Sequence, residues 1–110
     1  MTDKELLELA AKAAGIELLW ECDIPQRIEM FRGHLANYEN WNPLTNDGDA
    51  LRLAVKLRII VTFSAATGRY CVIGCQRLGP DSIEEEGNDA YAATRRAIVR
   101  AAAEIGKEMK

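Results

Sequence analysis

Three cysteines, Cys22, Cys71 and Cys75, and the lone histidine, His34, have the widest chemical repertoire of the residues in this chain. A metal site would need them gathered. Cys71 and Cys75 stand four positions apart, without the two-residue gap of a zinc knuckle. On one strand they would share a face yet lie about 13 Å apart, too far for a single ion. No other pair among the four has ligand spacing, so buried structural thiols are expected, with no metal and no cofactor. An odd cysteine count also fits a reducing compartment better than a disulfide framework. His34 follows Arg32 and Gly33 and is expected at the surface or in a turn.

The remaining candidates fail on geometry. Asn46-Asp47-Gly48-Asp49 resembles a calcium loop, but aligning Gly48 with the required glycine puts Pro43 at the first ligand position and Ala54 at the twelfth. Neither offers the side-chain oxygen that those positions need. Glu84-Glu85-Glu86 is an acidic run, expected as a solvated loop rather than an acid/base dyad. There is no phosphate-cradling glycine-rich loop and no dinucleotide fingerprint. Ser64 and Ser82 lack a glycine-flanked nucleophile setting. Nothing assembles a nucleophile, a base and an orienting group, so the sequence points away from an enzyme.

Charge is distributed unevenly. Residues 1–50 hold 10 acids and 4 bases, whereas residues 51–80 hold Arg52, Lys56, Arg58, Arg69 and Arg77 and no acid. That basic stretch is a candidate partner-binding surface for phosphate or for an acidic protein. The net charge is −3 and the pI about 5.2. Nucleic-acid binders usually have a basic domain overall, with a pI above ~9, so the acidic balance counts against nucleic acid.

These residues must be carried by one small domain spanning 1–110. The chain is 48% hydrophobic and 28% charged, a globular balance rather than a disordered one. No apolar run approaches the ~18 residues of a membrane span, and the acidic start MTDKELLELA does not look like an export signal, so a soluble cytoplasmic protein is expected. Thr2 and Glu5 form a capping box for a first helix over 3–14, with Leu6, Leu9, Ala10 and Ala13 as its apolar stripe and Gly15 as its stop. Residues 16–42 suggest two short strands or irregular segments joined by a turn at Pro25. Asp47 is expected to cap a second helix over 48–58, and Asp49 suits its dipole. Ala50, Leu53, Ala54 and Leu57 line one face, and Leu51 and Val55 widen the buried surface. A hairpin follows over 59–64 and 70–76 with its turn at 66–69. A polar acidic loop then covers 81–88. The last helix spans 88–108, capped by Asn88 or Asp89, with Tyr91, Ile98, Ala102, Ile105 and Met109 buried.

The run Trp41-Asn42-Pro43-Leu44-Thr45-Asn46-Asp47-Gly48-Asp49-Ala50-Leu51-Arg52-Leu53-Ala54-Val55-Lys56-Leu57 resembles the phage ABA sandwich domain family, small proteins of tailed bacteriophages and prophages. Residues Glu5–Gly15 and Ala93–Ala103 resemble that family's ends. The resemblance implies a sheet sandwiched by helices and carries over no catalytic or binding residue. With the pattern of elements, it implies an α+β fold: a single-domain α/β/α sandwich of three helices around a small, mainly antiparallel sheet of three to four strands. The function expected is that of a non-enzymatic phage accessory protein. It would bind a host or phage protein in the host cytoplasm, with blunting of a host defence as one such role. The alternative is a nucleotide or nucleic-acid binder using the basic 51–80 segment. Self-association stays open. Within the motif, Trp41, Asn42, Pro43, Asp47, Gly48 and Asp49 are expected to brace the second helix rather than to form a recognition loop.

Overall fold

The computed structural model describes residues 2–62, 71–75, 82–85 and 89–109. The elements run α1 (Asp3–Ala14), β1 (Glu17–Glu21), β2 (Ile24–Phe31), β3 (His34–Asn40), α2 (Asp47–Leu57), β4 (Ile59–Thr62), β5 (Cys71–Cys75), β6 (Ser82–Glu85) and α3 (Ala90–Glu108). The class is α+β, with three helices and antiparallel pairing, as the sequence indicates. The strands divide into two three-stranded sheets, ordered β1-β2-β3 and β4-β5-β6.

The helices form where local chemistry starts and stops them. Thr2 Oγ1 accepts the Glu5 N–H at 3.1 Å, and Gly15 closes α1 with φ 71° while Ile16 donates back to the Ala11 carbonyl. A left-handed stop of this kind satisfies carbonyls the helix leaves open. The buried stripe of α1 is Leu6, Leu7, Ala10, Ala11 and Ala14, rotated by about one position from the expected one; Leu9 and Ala13 are half-buried. The rotation follows from packing against α3. Asp3 meets Arg96, Leu9 meets Gly106 and Lys12 donates to the Met109 carbonyl, so the two helices run parallel. Small residues set their separation. Ala10, Ala97, Ala101 and Ala102 are fully buried, and a Cβ on Gly106 would lie 2.1 Å from the Leu9 carbonyl oxygen.

The α3 helix also lies against all three strands of the second sheet, and α2 packs on α3 and β4. The core therefore sits between α1, α2 and α3, with Trp41 and Ile59 joining it. The α3 cap is Asp89, whose carboxylate accepts from Tyr91 and Ala92. Ile98 and Ile105 are buried as expected, but Tyr91 and Met109, at the two ends of α3, are exposed. The expected hairpin is present as β4 against β5, with Ile59 opposite Cys75 and Thr62 opposite Val72. Its turn at 66–69 lies outside the described residues. Residues 82–85, expected in an acidic loop, instead form β6 and pair with β5.

The largest difference lies in 16–42. Pro25 is not a turn; it is the second residue of β2, opposite Trp20, where its missing N–H falls at the strand's start. The first turn is at Cys22-Asp23, with φ 50° and 64°, and the second at Arg32-Gly33, with φ 53° and 79°. Two successive positive-φ residues give the tight reversal that matches the twist of paired strands.

Candidate functional site

The Trp41–Asp49 motif is a knot of short-range bonds at the start of α2. Trp41 is buried in the core, and its N–H donates to the Pro25 carbonyl at 3.1 Å, which ties the end of β3 to β2. Pro43 is fully buried. The Asn42 side chain accepts the Leu44 N–H, and the Asn42 N–H donates to Asp49 Oδ2 at 3.0 Å. Asp49, nearly buried, also takes Arg52 on Oδ1 at 2.7 Å. Its charge is thus matched by one guanidinium and one backbone donor, as a buried carboxylate requires.

Two details depart from expectation. The α2 cap is Asn46, whose Oδ1 accepts the Asp49 N–H at 2.9 Å, not Asp47. Asp47 is the first helical residue and points instead to Arg95 Nη1 at 2.6 Å, while Arg95 Nε donates to the Leu44 carbonyl. Asn and Asp cap equally well, and the choice fell to the residue whose neighbour could reach across to α3. Gly48 has the Arg52 guanidinium and Asn46 Oδ1 as its nearest neighbours.

Three of the five basic candidates lie among the described residues. Arg52 is tied to Asp49, Lys56 and Arg58 are exposed on and just beyond α2, and Arg69 and Arg77 lie outside the described residues. Cys22, expected as a buried thiol, is instead exposed because it sits in the turn between β1 and β2, and His34 is exposed at the start of β3, as expected. The backbones of Cys71 and Cys75 belong to β5. Among the described residues no group of three His, Cys, Asp or Glu side chains could hold a metal ion. No helix among them is long and apolar enough to cross a membrane.

Two surfaces escaped the sequence reading. The first is the β2–β3 arm. Every residue from Glu29 to Asn40 is exposed, including Met30, Phe31, Leu35 and Tyr38, with Phe31 at 63% and Tyr38 at 60%. Arg27 and Glu39 face each other across the arm and form an exposed ion pair there, which favours the register modestly. Beyond them Ala36 has no partner residue, because Glu29 pairs with Asn37 and Met30 with Leu35. The resulting bulge bends the outer strand and discourages edge-to-edge pairing with another sheet. The Arg32 guanidinium lies 5.2 Å from the Phe31 ring centre at the tip.

The second surface is the outer side of α2. Leu51 and Val55, expected to be buried, are 64% and 70% exposed. They stand one helical turn apart on the side away from Leu53 and Leu57. Beside them a cavity of about 600 Å³ opens between α2, β4 and α3, with Ala50, Ala54, Val61, Tyr91 and Ile98 in its walls. A signal for both surfaces existed in the apolar residues themselves, but periodicity assigns such residues to a core by default.

Compared with protein-family models, curated proteins and solved structures, the chain matches none.

Proposed function

We propose that this chain is a non-enzymatic protein-binding module, and that the β2–β3 arm is the element that engages the partner. The observation that carries this reading is the exposure of Met30, Phe31, Leu35 and Tyr38 on an arm whose residues from Glu29 to Asn40 are all exposed. Apolar surface gathered on one element marks interaction sites in proteins of this size, and aromatic side chains are the usual anchors. The bulge at Ala36, the ladder of β2 on β3 and the cross-strand ion pair give the arm a defined hairpin shape. A preformed element gives up little conformational entropy when a partner closes over it.

The setting we propose is the cytoplasm of a bacterial host, where a phage-encoded accessory protein would meet a host or phage protein and could blunt a defence. The support for that setting is the likeness of the Trp41–Leu57 run to the phage sandwich family. The test is capture of partners on immobilised protein, comparing wild type with Phe31→Ser/Tyr38→Ser. Both positions are exposed, so unfolding midpoints should match. A partner held by wild type and lost from the double variant supports the reading. Equal capture by both proteins, or a variant that loses its fold, contradicts it.

A further inference from the structure

We propose, resting on the reading of the β2–β3 arm as a protein-binding element, that the outer face of the β1-β2-β3 sheet takes a basic amphipathic helix of the partner, laid along the strands. Successive side chains of a strand point to opposite faces, so the register sorts them. On the inner face Leu18 and Trp20 pack on the core and Pro25 is buried. On the outer face Glu17 pairs with Ile28, Ile28 with Tyr38, and Met30 with Leu35. Leu19 and Ile24 share that face by the same alternation. Ile28 is half-buried, and Leu19, Ile24, Met30, Leu35 and Tyr38 are between 46% and 60% exposed. Among the described residues β2 and β3 make extensive contact only with strands of their own sheet. An apolar sheet face is normally buried under a helix or a second sheet.

Size fits one helix. The 8 residues of β2 run about 26 Å, and the outer strands lie about 10 Å apart. An α-helix of about 18 residues has that length and is about 10 Å across.

The border of the face selects the charge. Among the described residues its only charged side chains are Glu17 and Glu21, both on β1, because Arg27, Glu29 and Glu39 belong to the inner face. Glu21 accepts from the Gln26 amide at 3.1 Å, and no ion pair among the described residues involves either carboxylate. Lys56 shares a groove with Glu17 at the end of β1, so Glu21 carries the larger part of the selection. Four positions apart on one strand, the two carboxylates stand about 13 Å apart. Two cations eight positions apart on a helix stand about 12 Å apart. A helix with an apolar stripe over β2 and bases at that spacing on the β1 side therefore meets both features. Phosphate and anionic lipid would be repelled by the same pair.

The experiment uses the whole chain and a fluorescent helical peptide of about 18 residues, read by anisotropy. The peptide carries a leucine stripe and two lysines eight positions apart, and a control carries glutamates at those two positions. The lysine peptide should bind, more weakly as salt rises, and the glutamate peptide should bind several-fold less well. Leu19→Ser/Leu35→Ser should weaken binding about tenfold with an unchanged circular dichroism spectrum. Glu17→Gln/Glu21→Gln should abolish the preference between the peptides while apolar binding remains, a split that damage to the fold cannot produce. Glu21→Gln alone should do more than Glu17→Gln alone. No binding of the lysine peptide, equal binding of both peptides, or indifference to these variants overturns the proposal. A dimer in sedimentation that dissolves on Leu19→Ser/Leu35→Ser assigns the face to a second copy and overturns it as well. Leu19 and Glu21 lie on β1, outside the arm. A captured partner lost on Phe31→Ser/Tyr38→Ser but kept in full by Leu19→Ser/Glu21→Gln would therefore leave the arm as a binding element and overturn the helix across the sheet.

Discussion

Replacing Gly106 by alanine tests the packing that holds the domain together. In an isolated helix the change favours folding by ~1 kcal/mol, since glycine is the poorer helix former. Here the added Cβ would lie 2.1 Å from the Leu9 oxygen and 2.9 Å from its carbonyl carbon. Both are backbone atoms of α1, so no side chain can swing away to make room. Restoring an ordinary contact requires α1 and α3 to part by about 1 Å, and a gap of that size forfeits a quarter to a half of each dispersion contact. The contacts at risk are those of Leu6, Ala10, Ala97, Ala101 and Ala102, all buried in the core cluster. Overpacking costs ~1–3 kcal/mol, and a clash with fixed backbone belongs at the upper end; a cost of ~3 less the propensity gain of ~1 leaves a net loss of ~2 kcal/mol. That is a substantial share of the 5–15 kcal/mol typical of small domains. Urea denaturation followed by circular dichroism measures it, with Gly48→Ala as the matched control. At Gly48 the nearest atoms are the Arg52 tip and Asn46 Oδ1, both side-chain atoms at 3.2 Å, so the added Cβ meets no backbone and the control should be neutral or stabilising by up to the same ~1 kcal/mol of propensity. A Gly106→Ala protein as stable as wild type would refute the close parallel packing of α1 on α3.

Further predictions follow from the motif and from the end of α2. Trp41→Ala should lower unfolding stability by ~3 kcal/mol or more, because it empties a core position beside the Pro25 carbonyl, as measured by the shift in urea midpoint. Asn46→Ala should cost ~1 kcal/mol by the loss of the cap, and Asp47→Ala less, since an ion pair with an exposed carboxylate contributes ~1 kcal/mol at most; a reversed order in urea titrations would restore Asp47 as the cap. Arg58→Gly should stabilise the protein by ~1 kcal/mol, visible as a rise in the thermal midpoint, by relieving the left-handed strain.

The helices were legible because each announces itself twice, by a capping residue and by a periodic apolar face. Thr2 with Glu5, Gly15, and the Ala50-Leu53-Ala54-Leu57 face all lie where the spacing puts them. The β2–β3 arm was not legible for a physical reason. A strand shows alternation only when one face is buried, and from Glu29 to Asn40 neither face is. Its turns add little signal, since Cys22-Asp23 adopts two positive φ values without the glycine that usually marks such a reversal. Leu51, Val55 and Tyr91 are exposed although apolar character alone points to burial; an exposed apolar residue is common and becomes informative only when its neighbours are known. The choice of Asn46 over Asp47 as cap depended on Arg95, which is 48 residues away in sequence from its partner Asp47. No local pattern encodes that distance.

Site-specific photo-crosslinking asks of the molecule itself whether the β2–β3 arm binds a protein. A photoreactive phenylalanine analogue placed at Phe31 or at Tyr38, both exposed on the arm, should yield one discrete crosslinked protein on irradiation in the bacterial cytoplasm. The same analogue at Glu8, exposed on α1, should not yield it. A crosslink of equal strength from Glu8, or none from either arm position, would contradict the claim.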